Sequence, residues 1–267
     1  VRFKSAVVAT LGLVAAVFLG AAGTGAAAPA ERDFKPYNRD GNQSQRSAGI
    51  QTTSGNSFLE INGNNELIYW SRANESAGYN AQRRGVGWGG SKLITSLDEN
   101  HFLEVKPGNE LALWTWNGSY TQQIIGTGWG GTRLLTGVAP TKFLEVNQRG
   151  ELVIWFLEGT QLFREVIGTG WGNAKHIAGL DDLLFLEVKQ NGNLSTWAWN
   201  GQQLVENVSN GTGAFAKVRL MAGLDADHWL YIDANNRQLV EYQWVESEGV
   251  YKAKIVGVGW GGSRLLG

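Results

Sequence analysis

The chain has 267 residues, and its 23 Lys and Arg balance 24 Asp and Glu at a pI near 6.4, which excludes the electrostatic footprint of a nucleic-acid binder. Cysteine is absent, so disulfides, thiolate metal sites and cysteine nucleophiles are excluded together. With 37 Gly, 12 Trp, four Pro and one Met, the composition suits tight turns between short aromatic strands and fits helices badly; the length suits one large all-β domain.

Arg2 and Lys4 precede an apolar run over 6–20, and small residues follow it to Ala28-Pro29-Ala30. This pattern predicts a secretory signal peptide over 1–30, with an N-terminal membrane anchor as the alternative. No later segment is apolar enough to span a bilayer, so the expectation is a secreted protein with no membrane insertion after signal removal. Residues 31–47 are polar and aperiodic and read as a flexible leader.

From 48 to 267 the chain repeats. Phe58, Phe102, Phe143, Phe185 and Trp229 recur at spacings of 44, 41, 42 and 44 residues. A Gly-Trp pair keeps register at Trp88, Trp129 and Trp171, degrades to Ala214-Phe215, and returns at Trp260. In a third column, Leu67, Leu111, Leu152, Leu194 and Leu239 each precede an aromatic by three residues: Trp70, Trp114, Trp155, Trp197 and Tyr242. A fixed period of about 40 to 45 residues marks a propeller blade or another stacked array.

Each unit reads as four strands, A to D; in the third copy these are 133–136, 143–147, 152–156 and about 163–167. Asn117-Gly118 and Asn200-Gly201 predict type I′ turns between strands C and D. Strand A occurs six times, from 49–52 to the final Arg264-Leu265-Leu266-Gly267, so we expect 263–267 to dock on the blade begun at Phe58 and close the ring.

Five such units, each with a Gly-x-Gly-Trp turn leading into a Leu-Leu strand, resemble the tachylectin-2 type of five-bladed lectin propeller over about 48–267. The resemblance implies an all-β, five-bladed β-propeller with repeated sites for N-acetylated sugars, glycan partners of the N-acetylglucosamine type, and no cofactor. The units also look like the FG-GAP blades of integrin-like propellers, but loops such as Ser96-Leu97-Asp98-Glu99-Asn100 lack the alternating acids that calcium needs, so no metal is expected.

Trp88, Trp129, Trp171 and Trp260 lie in the turns from strand D to the next strand A, where an indole with a free face could stack on a sugar. The competing reading is a structural wedge. In an up-and-down blade the B-to-C turns emerge at the same end, which brings Asn65, Asn109 and Asn191 near those tryptophans as candidate acetamido contacts, or as residues chosen for turn conformation. Strand-C tryptophans read as packing between blades.

Gly126-x-Gly128-x-x-Gly131 matches a dinucleotide fingerprint formally, but it leads into a strand instead of opening a helix. The repeated Glu60, Glu104, Glu145 and Glu187 are read as pairing with the basic column Lys92, Arg133, Lys175, Arg219 and Arg264. Three histidines without metal-ligand spacing, and acids that recur in every blade instead of meeting at one place, argue against an enzyme. The expectation is a multivalent lectin, with an extracellular interaction scaffold as the alternative.

Overall fold

The computed structural model describes residues 55–210 and 213–267, with only the backbone for 207–210. The predicted signal peptide, leader and first copy of strand A lie outside the described residues.

Five four-stranded antiparallel sheets form a β-propeller. Blade 1 contains β1 (Ser57–Ile61), β2 (Glu66–Ser71), β3 (Asn80–Val86) and β20 (Leu265–Leu266). Blade 2 is β4 (Leu93–Ser96), β5 (His101–Val105), β6 (Leu111–Trp116) and β7 (Tyr120–Gly126). Blade 3 is β8 (Thr132–Ala139), β9 (Lys142–Asn147), β10 (Leu152–Glu158) and β11 (Gln161–Gly168). Blade 4 follows as β12 (Ala174–Gly179), β13 (Leu184–Lys189), β14 (Leu194–Trp199) and β15 (Leu204–Asn210), and blade 5 as β16 (Val218–Gly223), β17 (His228–Asp233), β18 (Leu239–Val245) and β19 (Val250–Gly257).

Burial falls from the inner strands outward. Phe143 to Asn147 of β9 are all buried, because neighbouring blades cover both faces, whereas much of β11 is exposed. The period-two pattern therefore separates two packing surfaces on strand B, and only at the rim does it separate core from solvent.

The predicted ring closure is present. β20 pairs with β1, Glu60 opposite Leu266 and Ile61 opposite Leu265. Leu59 and Gly267 exchange backbone hydrogen bonds at 2.6 and 3.0 Å, and the Arg264 N–H donates to the Ile61 carbonyl at 2.7 Å. The A strands then neighbour one another in a closed circuit, β20, β4, β8, β12, β16 and back to β20. At one end of this circuit the backbones nearly touch: a β-carbon on Gly137, Gly179 or Gly223 would overlap the carbonyl oxygen of Ser96, Gly137 or Gly179 respectively.

Two predicted turns differ. Gly118 and Gly201 have φ of 96° and 89°, but Asn117 and Asn200 are not left-handed, so neither pair forms a type I′ turn. The strand pairs Trp116 with Tyr120 and Trp199 with Leu204 leave three- and four-residue loops, in which a single left-handed glycine suffices.

Candidate functional site: the inter-blade aromatic grooves

The glycine-rich turn is a wedge mount. Gly128 adopts φ 82°, and Trp129–Gly131 form one 3-10 turn that runs directly into β8, as expected of a strand-to-strand link. The Trp129 N–H donates to the Asn109 carbonyl at 2.8 Å, and the same bond joins Trp88 to Asn65, Trp171 to Gly150, Phe215 to Gly192 and Trp260 to Arg237. The D-to-A links and B-to-C turns therefore do share one end of the ring.

The indoles themselves are largely consumed by packing. Trp129 and Trp171 are 6% exposed and Trp260 9%; Trp88 is partly exposed. Each turn tryptophan enters the next blade and meets the strand-C tryptophan at 4.8 to 5.0 Å between ring centroids: Trp88 on Trp114, Trp129 on Trp155, Trp171 on Trp197 and Trp260 on Trp70. Each also crowds the glycine three residues before it, so that a β-carbon at Gly126 would overlap the Trp129 indole nitrogen. The three buried rings are wedges and not open stacking platforms. Trp70, Trp114, Trp155 and Trp197, read from sequence as core, are the partly exposed set.

The predicted amide contacts are also engaged elsewhere. Asn65 and Asn109 have φ of 62° and 65° and hold left-handed turn positions, while Asn191 sits one place out of their register. The Asn65 side chain accepts from Arg264 at 2.8 Å and that of Asn109 accepts from Lys92. The Asn191 oxygen accepts from the Asn193 backbone N–H at 3.0 Å, closing its own turn.

The glutamate column does not pair with the basic column. Glu60, Glu104, Glu145 and Glu187 each accept the indole N–H of the strand-C tryptophan ten residues later, at 2.9 Å in every case. The other oxygen of the first three accepts a hydroxyl from Ser263, Ser91 or Thr132 at 2.5 to 2.7 Å. Ala174 replaces that hydroxyl in blade 4, and burial pushes the Glu187 carboxyl above its ordinary range against the pull of Trp197 and Lys189. At 4 to 7% exposure a carboxylate needs neutral donors nearby, and the indole supplies one. Sequence carries a signal for this pairing: where glutamate becomes Tyr231, the tryptophan becomes Tyr242.

The basic residues instead staple blade to blade. Arg219 donates to the carbonyls of Trp260 and Ser263, Arg133 to those of Trp171 and Ala174, Arg264 to that of Trp88, and Lys175 to that of Ala216.

Between blades 2 and 3 the junction opens into two adjoining clefts of about 320 and 490 Å³ that share Thr127, Trp129 and Trp155. The first is polar, lined also by Thr132, Glu145, Gln148, Arg149 and Arg164. The second is apolar, lined by Ile125, Leu162 and Phe163, a residue 49% exposed. An apolar floor with a few convergent polar groups, at volumes of roughly 300 to 1,000 Å³, is the usual makeup of a small-ligand site.

The histidines have structural partners. His101 and His228 contact Asp98 and Asp225 at 2.9 Å, and these aspartates also accept backbone N–H groups of their own A-to-B turns. His176 donates Nε2–H to the Val218 carbonyl at 3.0 Å; burial depresses it to about 4.

No protein-family model matches the chain, and no curated protein sequence matches it. Among solved structures it is similar to a mutant of Aleuria aurantia lectin in complex with alpha-methyl-L-fucoside, at 13% identity and TM-score 0.46, over 79% of this chain and 77% of that one. It is similar to SapL1 lectin in complex with alpha methyl fucoside at 14% identity and TM-score 0.45, over 76% and 82%. It is also similar to Prp20p from Saccharomyces cerevisiae at 10% identity and TM-score 0.37, over 67% of this chain. The chain spans about half the length of that yeast protein, 54%. At these levels of similarity no ligand and no site residue transfers to this chain.

Proposed function

We propose that this protein is a secreted, non-catalytic carbohydrate-binding propeller whose sites are the grooves between blades, among them the groove between blades 2 and 3. The observation that carries this reading is the partly exposed Trp155, held in place by its N–H bond to Glu145 and flanked by Gln148, Arg149, Arg164 and Thr127. An immobilised indole beside amide, guanidinium and hydroxyl donors suits the mixed C–H and O–H surface of a sugar ring. Related junctions around the ring would act together, and linked weak sites raise effective affinity by roughly 10² to 10⁴. N-acetylated hexosamines remain the first neutral ligands to try.

The scaffold alternative has an observation of its own, the burial of Trp129, Trp171 and Trp260. Titration of tryptophan fluorescence with N-acetylglucosamine, alpha-methyl fucoside and glucose separates the two. A saturable response to an acetylated or deoxy sugar, weakened in Trp155→Phe and Gln148→Ala proteins that melt like the parent, supports the lectin. A flat response to every sugar of a broad panel sinks it and favours the scaffold.

A further inference from the structure

The five grooves are built on one plan but do not carry the same charge. The strand-C aromatic faces a strand-D residue across the sheet, and the pairs are Trp70 with Ala81, Trp114 with Gln122, Trp155 with Arg164, Trp197 with Glu206 and Tyr242 with Ala253. Only blade 3 places a cation there. The Arg164 guanidinium carbon lies 5.9 Å from the centroid of the Trp155 ring; among the described residues it makes no hydrogen bond and no close ion pair, and the carboxylate that feels its charge, Glu151, is already bonded to Asn147 and Arg149. A second guanidinium, Arg149, lines the same cleft and is held to Glu151 at 3.0 Å. Glu145, the carboxylate inside the cleft, has both oxygens occupied, by Thr132 at 2.7 Å and Trp155 at 2.9 Å.

We propose that the groove between blades 2 and 3 takes a carboxylate-bearing sugar, a uronic or a sialic acid residue of an acidic glycan, with Arg164 pairing the carboxylate and Trp155 packing against the ring. A guanidinium presents a fork of N–H donors that matches a carboxylate, whereas a neutral sugar gives it only weaker hydroxyl partners. The apolar cleft beyond Trp155, with Ile125, Leu162 and Phe163, has room for a neighbouring sugar face or an N-acyl group. Blade 4 offers no such free cation, because Glu206 stands in the position of Arg164 and pairs at 2.9 Å with Lys189, the ammonium nearest the Trp197 ring. This inference rests on the lectin reading and refines it.

The test is a fluorescence titration of the parent, Arg164→Gln and Gln122→Arg proteins with glucuronic acid, N-acetylneuraminic acid, glucose and N-acetylglucosamine, at low and high salt. The proposal requires at least one acid to bind about tenfold more tightly than the neutral sugars, to weaken with salt, and to lose about that factor in Arg164→Gln while the neutral sugars lose much less, so that the preference for acid disappears. Whichever acid responds identifies the source of the carboxylate. In Gln122→Arg a second acid site at the preceding groove would strengthen the assignment. Neutral sugars binding as tightly as the acids, with Arg164→Gln silent, overturns the proposal and leaves the lectin reading standing. Failure of all four sugars to bind overturns the proposal, and a flat response to the broad panel besides overturns the lectin reading; Arg164 lies at an exposed position, and misfolding of its variant is detected directly by its melting temperature.

Discussion

Replacing Trp129 by alanine tests whether the turn tryptophans are wedges. The ring is 6% exposed, packs on Trp155 at 4.8 Å and on Phe143 at 5.9 Å, and fills a gap between blades that neither neighbour can close. Burying a tryptophan removes about 150 to 250 Å² from water, and truncating one to alanine in a packed core costs about 3 to 5 kcal/mol. For a domain of this size that is a fall in Tm of roughly 10 °C, readable by circular dichroism. Blade 5 exchanges the two ring sizes, Phe215 at 4% exposure packing on Trp229 at 5.8 Å where Trp129 packs on Phe143. Trp129→Phe alone should therefore cost about 1 to 3 kcal/mol, and Phe143→Trp added to it should recover part of that loss. An alanine variant that melts within about 2 °C of the parent would refute the wedge and restore this residue as a free platform.

Gly126→Ala should cost about 1 to 3 kcal/mol, because its β-carbon meets the Trp129 indole, whereas Gly108→Ala, with only Glu110 nearby, should melt like the parent. Removing 263–267 eliminates the paired backbone bonds to Leu59 and Ile61 and the hydroxyl bond to Glu60, a loss of roughly 4 kcal/mol, and should bring aggregation on size exclusion through the bared edge of β1. A parent-like monomer of parent stability would show that the ring does not depend on this closure. Burial lowers the pKa of His176 to about 4, below its unfolded value near 6.5, so its share of stability is complete above 6.5 and is lost as pH falls through 4, on the order of 3 kcal/mol in all. His176→Leu, the residue found at Leu93, Leu134 and Leu220, should flatten that part of the denaturation profile against pH. For His228 burial works downward, but Asp225, with Glu241 and Glu75, outweighs it and raises the group, so its contribution is present in acid and is lost as pH climbs past the ordinary histidine range.

Blade number, strand positions and ring closure were legible because each rests on local chemistry repeated in register: alternation along strand B, a left-handed glycine before each tryptophan, and the sixth copy of strand A. The assignment of exposed and buried tryptophans was not. A strand normally has one wet and one dry face, but a blade is covered on both, so position along the radius decides exposure and a one-dimensional pattern does not contain the radius. Charge misled for a related reason. Glu145 and Arg133 look like partners in a list of columns, yet one is buried beside an indole N–H and the other reaches the carbonyls of Trp171 and Ala174. Asn65 and Asn109 were placed at the correct end, but their left-handed φ explains their presence before any ligand does.

The glycines at the ends of the A strands have one more consequence. With Gly137 under Ser96, Gly179 under Gly137 and Gly223 under Gly179, three of the five junctions bring a carbonyl oxygen against an α-carbon with no spacer between. A side chain there could be accommodated only by pushing neighbouring A strands apart, so the inner rim from blade 2 to blade 5 tolerates little variation, whereas the grooves at the outer strands can change one residue at a time.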